Sequence, residues 1–220
     1  MLDKVLEFVA PHLCSGCGKT GSPLCDNCKY DIITETFSGC VVCLKHERNG
    51  ICQDHEAGYA QAWVVGLRKG ALQRLIGGFK FQNMKAAALS LAQLLDQRLP
   101  ALPDDTLLVP IPTATSHIRE RGYDHMLLIA KYLSRIRGLP LAPLIGRSHN
   151  LTQHHSSRQA RITQARSAFR LVGAVRPDKT YLLLDDVVTT GSTLAEASRL
   201  LVGAGASRVW VGAIARQPLD

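Results

Sequence analysis

The distribution of cysteine constrains the fold of this chain more than any other feature of its sequence. All seven cysteines lie within the first 52 of 220 residues, at Cys14, Cys17, Cys25, Cys28, Cys40, Cys43 and Cys52. The first four follow the spacing C-x2-C-x7-C-x2-C, and the next three continue as C-x2-C-x8-C, with His55 in the eighth position. A Cys-rich segment followed by a long cysteine-free remainder predicts a small module attached to a larger domain.

Two-residue spacing allows both sulfurs of a knuckle to face one zinc ion at about 2.3 Å, and an imidazole can replace a thiolate. An odd number of cysteines argues against a disulfide framework. We therefore expect one or two structural zinc ions on the seven cysteines and His55. His46 is an alternative eighth ligand, and ligands could also pair across the two groups, so the number and pairing of sites stay open.

Composition limits the class of protein. A hydrophobic content of 46% supports a sizeable core. No apolar run reaches the roughly 18 residues of a membrane helix, and acids at Asp3 and Glu7 make the N-terminus a poor signal peptide. We expect a cytoplasmic protein that partners could hold at the inner face of the membrane. The net charge of +8 predicts an anionic partner, although two zinc–thiolate sites would lower it to about +5.

The remainder of the chain alternates apolar strands with amphipathic helices. Strands are predicted at 62–67, 106–112, 180–184 and 208–216, and helices at 86–99, 125–138 and 193–205. Segment 69–81 is expected to begin as a helix and to break at Gly77 and Gly78. This alternation predicts an α/β fold with a parallel sheet covered by helices on both faces. The expected domains are a zinc-binding Cys-rich module at 1–58 and an α/β domain at 59–220.

The segment LLLDDVVTTGST, residues 182–193, carries the most specific chemical pattern. In parallel sheets ligands bind beyond the carboxyl ends of the strands, and Asp185 and Asp186 are expected where this strand ends. The turn at 189–193 offers hydroxyls and backbone N–H groups at a helix N-terminus, and Gly191 allows an anion to approach closely. Two carboxylates suit ribose hydroxyls or a magnesium ion held largely through water. An Asx turn with a helix cap would explain only one acid and one hydroxyl, so the pattern predicts a ribose 5-phosphate site.

Two further segments are expected near the same edge. Residues 110–112 end the second strand, and Arg119 and Arg121 follow them. Arginine suits a diphosphate because its guanidinium binds two oxygens at once, and a solvated helix start is the alternative. Lys80 lies between two aromatic residues, where a phosphate contact and a surface lysine with a packed stem are equally compatible with the sequence.

Residues 147–170 form a basic segment with five arginines, three histidines and no acid. We expect a flexible basic loop in which Arg158, Arg161 and Arg166 face an anionic ligand. The loop could cover a diphosphate as a flap or bind single-stranded DNA, and the scarcity of aromatic residues favours the flap. A plain surface loop is the remaining alternative.

Together these segments resemble the ComF/GntX family of phosphoribosyltransferase-like proteins. The resemblance covers about residues 12–216 and rests on the cysteine knuckles, FKF (79–81), VPIP (109–112), RERGYDH (119–125), TQHHSSRQARITQARSAF (152–169) and DDVVTTGST (185–193). The last motif is similar to the signature with which type I phosphoribosyltransferases bind 5-phosphoribosyl diphosphate (PRPP). The chain departs from the family pattern at four places. It has RGYDH for RGFNQ at 121–125, HHS for TGL at 154–156, Gln164 for Asn and His55 for Cys.

The resemblance implies a type I phosphoribosyltransferase fold that binds PRPP with magnesium. Asp185, Asp186 and Arg121 would be the catalytic residues. The implied PRPP contacts are Asp185, Asp186, Val187, Val188, Thr189, Thr190, Gly191, Ser192, Thr193, Pro110, Ile111, Pro112 and Lys80.

The resemblance also implies a role in DNA uptake during natural competence, or in the use of external DNA. Single-stranded DNA and a DNA-uptake helicase or translocation protein are the implied partners. Two functions stay open at this point: a magnesium-dependent phosphoribosyltransferase with an unknown acceptor, and a non-catalytic adaptor that senses PRPP or binds single-stranded DNA. A sequence-specific DNA-binding regulator on the same fold is a third, weaker interpretation.

Overall fold

A computed structural model describes residues 12–35, 37–148 and 168–219 of the chain. The predicted loop residues Arg158, Arg161 and Arg166 lie outside these ranges. The elements, in chain order, are α1 (Asp26–Thr34), β1 (Gln61–Leu67), α2 (Gly70–Phe81), α3 (Ala87–Arg98), β2 (Thr106–Pro110), α4 (Thr115–Arg121), α5 (His125–Arg137), β3 (Ile145–Arg147), β4 (Phe169–Leu171), β5 (Thr180–Val188), α6 (Ser192–Gly203) and β6 (Arg208–Arg216).

The centre of the fold is a four-stranded parallel sheet in the order β1-β6-β5-β2. Strands β3 and β4 form a separate antiparallel pair. The middle strands are apolar on both faces, because side chains of β5 such as Leu182 and Leu183 are fully buried on opposite sides. The predicted fold class, an α/β protein with a parallel sheet flanked by helices and an N-terminal Cys-rich module, is confirmed.

Two clusters of buried side chains pack against the two faces of the sheet. One combines apolar residues of α2, α3 and α5 with the first cysteine group, including Cys14 and Cys28. The other combines apolar residues of α6 with the second group, through Val41, Ala57 and Tyr59. The Cys-rich segment therefore contributes to both cores. The predicted domain boundary between residues 58 and 59 stays a prediction.

Two predictions about elements were wrong. Helix α2 continues through Gly77 and Gly78 to Phe81. Gly78 is buried, and a Cβ added there would lie 2.5 Å from the Met84 side chain. Close packing by Met84 therefore accounts for a glycine at this position inside an unbroken helix. Strand β5 continues past Leu184 to Val188, because its backbone stays paired with β6 over that length.

Helices α1 and α4 and the β3–β4 pair were not predicted as elements. Each is short: α4 has seven residues, and β3 and β4 have three each, so the period of the apolar residues gives little signal. None of the helices in the described ranges combines the length and apolarity needed to cross a membrane.

Candidate functional site

The candidate site lies at the carboxyl ends of β2 and β5. These strands are parallel neighbours, and Pro110 at the end of β2 pairs with Leu184 of β5. Asp185 and Asp186 follow that pair directly, on the part of β5 that extends past the last residue of β2. The sheet therefore presents two adjacent carboxylates beyond the edge of a shorter strand, where α/β proteins commonly bind ligands.

Asp186 is buried and is held from two sides by basic groups. Lys80 Nζ, from α2, lies 2.8 Å from Asp186 Oδ2. His125 Nε2, from the first residue of α5, donates a close hydrogen bond to the same oxygen. Burial alone would raise the pKa of the Asp186 carboxyl, but the His125 hydrogen bond and the charge of Lys80 outweigh it and lower that pKa. Asp186 is therefore a carboxylate in the ligand-free protein.

His125 connects Asp186 to the residues that follow β2. Arg121 Nη1 lies 3.3 Å from His125 Nδ1, and Thr113 Oγ1 lies 3.1 Å from the same nitrogen. Thr113 donates its own hydrogen to Asp124 Oδ1 at 2.8 Å. A carboxylate only accepts, so the Asp186 contact requires a hydrogen on Nε2 of His125. At Nδ1 the two contacts are alternatives: without a hydrogen Nδ1 accepts from Arg121, and with one it donates to Thr113 Oγ1. A continuous polar chain thus runs from Arg121 through His125 and Asp186 to Lys80.

Asp185 has the opposite protonation behaviour from its neighbour. Burial and the charge of Asp186 raise the pKa of the Asp185 carboxyl to about 7, against the smaller effects of Lys80 and Arg147. The backbone N–H of Asp186 donates to Asp185 Oδ1 at 2.9 Å, which fixes the side chain. A cation arriving beside Asp185 would favour its ionised form, so this carboxyl is suited to bind a metal ion or a ligand hydroxyl.

The turn between β5 and α6 is open to solvent. Thr189, Thr190 and Ser192 are exposed, whereas Gly191 is buried with φ at 78°. The Thr190 and Ser192 hydroxyls lie 2.9 Å apart. Gly191 is the N-cap of the twelve-residue helix α6, so exposed hydroxyls surround backbone N–H groups that point out of the helix. This arrangement can bind an anion such as a phosphate.

The structure brings several predicted site residues together and separates others. Lys80, Arg121 and the two acids form one network, and the turn at 189–193 follows Asp186 after two strand residues. Val187 and Val188 lie inside β5, and Pro110 is buried at the end of β2. Arg119 is exposed on α4. The binding roles assigned to these residues stay proposals.

Sequence reasoning missed four residues of this network: Thr113, Asp124, His125 and Arg147. Asp124 caps α5 by accepting from the Leu127 N–H at 3.0 Å, and Arg147 Nε donates to the Pro112 carbonyl at 3.0 Å. Asp124 and His125 occupy the positions at which the chain departs from the family pattern RGFNQ. That departure marks the two positions in the sequence, because it places an acid and an imidazole side by side at the start of a predicted helix, but it does not indicate their partners.

The cysteines and His55 form two compact groups. Ligand atoms of Cys14, Cys17, Cys25 and Cys28 all lie within 4.8 Å of one another, and so do those of Cys40, Cys43, Cys52 and His55. The facing sulfurs of Cys17 and Cys25 are 3.7 Å apart, close to the roughly 3.8 Å edge of a tetrahedral zinc site with bonds of about 2.3 Å. His55 Nε2 is buried without a hydrogen-bond partner, as expected of a nitrogen reserved for a metal.

The two groups could therefore hold one zinc ion each, with all four positions filled by protein. In the structure the candidate ligands cluster in sequence order, with Cys14 to Cys28 in one group and Cys40 to His55 in the other. Within the described residues, neither His46 nor a ligand pairing across the two groups belongs to such a cluster.

Comparison with known proteins identifies relatives over almost the whole chain. Competence protein F of Haemophilus influenzae is 31% identical over 223 aligned positions, which cover 96% of this chain and 93% of that protein. The DNA utilization protein YhgH of Salmonella typhi is 33% identical over 66% of this chain and 67% of its own length. Competence protein ComFC of Streptococcus pneumoniae is 25% identical over 90% of this chain. No protein-family model matches the chain.

Among solved structures, the allosteric regulatory enzyme of purine biosynthesis superposes with a TM-score of 0.43 and 22% identity. The superposition covers 59% of this chain and 25% of that enzyme chain.

The fold and the site define an α/β protein with an acidic pair and a hydroxyl-rich turn at one sheet edge, and with two metal-ligating groups in its N-terminal segment. The identity to competence protein F, which extends over both parts, identifies the family. The chain belongs to the ComF family.

Proposed function

We propose that this protein binds PRPP with magnesium as a phosphoribosyltransferase-like member of its family, and that it acts in DNA uptake or in the use of external DNA. The observation that supports PRPP most directly is the position of the Asp185–Asp186 pair. It lies two residues before an exposed turn of hydroxyls and helix N-terminal amides. A ribose 5-phosphate has hydroxyls for the acids and a phosphate for the turn, whereas a simple phosphate needs only the turn.

In this proposal each part of the site binds one part of PRPP. Residues 189–193 bind the 5-phosphate through backbone N–H groups and hydroxyls. Asp185 binds the ribose hydroxyls and ionises when magnesium is present, which supplies compensating positive charge. Both contacts of Asp186 fall on Oδ2, so we assign Oδ1 to the ribose. Lys80 and Arg121 face the diphosphate from either end of the polar chain.

Catalysis in such a site requires no covalent nucleophile. The residues would hold the ribose and diphosphate in place while the bond at C1 breaks, and Arg121 would stabilise the charge of the departing diphosphate. Removing one charge-assisted hydrogen bond of this kind costs roughly 1.5–3 kcal/mol.

Calorimetric titration with PRPP and magnesium chloride tests the pocket. The wild type should bind, and the isosteric pair Asp185→Asn with Asp186→Asn should abolish binding while leaving the circular-dichroism spectrum unchanged. The exposed pair Asp26→Asn with Asp104→Asn is the matched control for the same loss of charge. Equal affinity in the wild type and the site variant would refute the assignment.

A second candidate function, a non-catalytic PRPP-binding adaptor, is favoured by the names of the relatives. These refer to competence and DNA utilization and state no transfer reaction. Pyrophosphate release across a panel of nucleobases and amines separates the two candidates. Release with any acceptor, lost in the Asp185→Asn Asp186→Asn variant, supports the enzyme, and binding without release supports the adaptor.

We propose that both ligand groups of the N-terminal segment hold structural zinc. Two zinc ions per chain are expected from metal analysis of the purified protein. A Cys17→Ser variant and a Cys43→Ser variant should each lose one of them, since they remove ligands from different groups.

A further inference from the structure

Arg216 is the largest fully buried side chain among the described residues, with 1% of it exposed. It ends β6, and its guanidinium donates only to backbone carbonyls. Nε donates to Val41 O at 2.6 Å, Nη2 to Val42 O at 2.8 Å and Nη1 to Val188 O at 3.4 Å. Nη1 also donates to the carbonyl of Gln217. Val41 lies 175 residues before Arg216 and Val188 lies 28 residues before it, so this one side chain joins backbone segments that are about 150 residues apart in sequence.

The carbonyls that Arg216 binds belong to two segments, the second cysteine knuckle and the end of β5. Val41 and Val42 lie between Cys40 and Cys43, inside the second metal-ligating group. Val188 is the last residue of β5 and directly precedes the hydroxyl-rich turn. Arg216 therefore connects the backbone of the second cysteine knuckle to the backbone from which the turn begins.

A second contact joins the same two parts independently of Arg216. A Cβ added to Gly191, in the middle of the turn, would lie 3.2 Å from Val42 Cγ2. Gly191 is buried while its neighbours Thr190 and Ser192 are exposed. The knuckle at 40–43 therefore forms the wall behind the turn, on the side opposite to solvent.

The charge of Arg216 is compensated in an unusual way. Among the described residues, no carboxylate forms an ion pair with it. The carbonyls that it binds, those of Val41 and Val42, lie between Cys40 and Cys43, so metal-bound thiolates at these two positions would place negative charge close to the guanidinium. Three thiolates and one imidazole around a divalent zinc ion carry a net charge of about −1. A buried guanidinium beside such a site balances it, and each would be costly to bury without the other.

We propose that Arg216 is a positioning residue that fixes the anion-binding turn, residues 189–193, against the second metal group. Zinc binding to that group and anion binding to the turn are then thermodynamically coupled. The ligands of the second group are Cys40, Cys43, Cys52 and His55. Coupling between two sites is reciprocal, so an anion in the turn must also hold zinc more tightly. The identity of the anion as PRPP rests on the function proposed above. The contact between the knuckle and the turn does not depend on that proposed function.

The first test compares Arg216→Met with Arg137→Met. Arg137 also donates to main-chain carbonyls, those of Pro100 and Leu99, but lies on α5 away from the turn. Amide hydrogen exchange of Ala195 and Gln217, whose N–H groups donate to the carbonyls of Gly191 in the turn and of Val188 before it, should become at least about tenfold faster in ligand-free Arg216→Met and stay unchanged in Arg137→Met. PRPP affinity should fall by about tenfold or more in the first variant only.

The second test removes metal ligands. Cys43→Ser, in the second group, should speed exchange of the Ala195 and Gln217 amides in the same way as Arg216→Met. Cys17→Ser, in the first group, should lose its zinc without changing exchange in the turn. Equal effects of the two cysteine variants on the turn would show a general loss of stability and would overturn the proposed coupling.

A third test uses the wild type alone, so it remains decisive if Arg216→Met fails to fold. Saturating PRPP with magnesium should slow release of one of the two zinc ions to a chelator by severalfold and leave the other unaffected. Unchanged release at demonstrated saturation would overturn the coupling. If PRPP does not bind, the proposed function fails. Exchange of the Ala195 and Gln217 amides in Cys43→Ser and in Cys17→Ser then still decides whether the knuckle supports the turn.

Discussion

Two adjacent acids in this site have opposite protonation behaviour, and that difference arises from their neighbours. Asp186 points towards Lys80 and His125, whereas Asp185 is half-buried beside the charge of Asp186. An ordinary aspartate has a pKa of about 3.9, so the value of about 7 for Asp185 means that the folded state binds its proton more tightly than the unfolded chain. The stabilisation from this residue is present below about pH 4 and is lost as the pH rises through about 7.

Asp185→Asn should therefore stabilise the ligand-free protein at high pH. We expect its free energy of unfolding at pH 8 to rise by about 1–2 kcal/mol and its loss of stability between pH 5 and pH 8 to become smaller, because the amide cannot ionise. Urea titrations at both pH values measure this effect, with the exposed Asp104→Asn as control. If the stability of the wild type changes over this range by the same amount as that of the variant, the raised pKa of Asp185 is contradicted.

Lys80 and Lys85 provide a second comparison at the residue scale. Lys80 forms a half-buried ion pair with Asp186, while Lys85 is exposed and lies over the Tyr123 ring. Lys80→Met should weaken PRPP binding by about tenfold to a hundredfold, the effect of losing one charge-assisted hydrogen bond. Lys85→Met removes the same charge and should change affinity by less than about threefold in the same calorimetric titration. Similar losses in both variants would point to a general charge effect.

Among the elements, helix α2 ends later than the low helix propensity of glycine predicted. Two adjacent glycines disfavour a helix interior, yet α2 continues through both. Neighbouring residues Leu75, Ile76 and Phe79 are buried, so packing of the helix face outweighs the propensity of Gly77 and Gly78. This continuity also positions the site, because Lys80 follows the glycines on the last turn.

The two glycines should respond differently to alanine. A Cβ at Gly77 meets nothing within 4 Å, so Gly77→Ala should stabilise the protein by about 0.5–1 kcal/mol through helix propensity. A Cβ at Gly78 would lie 2.5 Å from Met84 Cε, so Gly78→Ala should gain less or destabilise. Urea unfolding midpoints compare the pair directly. A greater stabilisation by Gly78→Ala would show that the Met84 side chain does not constrain this position.

Sequence patterns predicted the elements that contain long apolar stretches. They failed where pairing or packing with another element sets the boundary or the contact. The strands and helices around Leu183, Ile129 and Leu201 follow from periodicity alone. The end of β5 depends on how far β6 pairs with it, which one strand does not encode. The contact between His125 and Asp186 spans 61 residues and needs the packing of α5 on the sheet, so a single sequence gave no direct sign of it.

At the scale of the whole molecule, the N-terminal segment packs against both faces of the sheet. The first cysteine group contacts the cluster of α2, α3 and α5, and the second contacts the cluster of α6. Such a segment can stabilise the domain and present a surface at the same time. With two zinc sites the chain keeps a net charge of about +5 from its formal +8, which leaves it basic enough to attract a polyanion.

If single-stranded DNA is the polyanion, its affinity must fall with salt. The logarithm of the binding constant should decrease linearly with the logarithm of salt concentration, with a slope of about −0.7 for each phosphate neutralised. Arg158 and Arg161 lie in the acid-free segment of the sequence and outside the described residues. Arg158→Ala with Arg161→Ala should make this slope shallower by about 1.4. Fluorescence anisotropy of a labelled oligonucleotide, at salt concentrations from roughly 50 to 200 mM, measures the slope.

The matched control is Arg135→Ala with Arg199→Ala, which removes the same charge from exposed positions on α5 and α6. An equal change of slope in both double variants would mean that net charge, and not a local track, attracts DNA. A slope unchanged by Arg158→Ala with Arg161→Ala, together with weaker PRPP binding in that variant, would assign these arginines to PRPP binding and not to DNA binding. This last outcome is the one that the scarcity of aromatic residues in the segment favours, because bases would find few rings on which to stack.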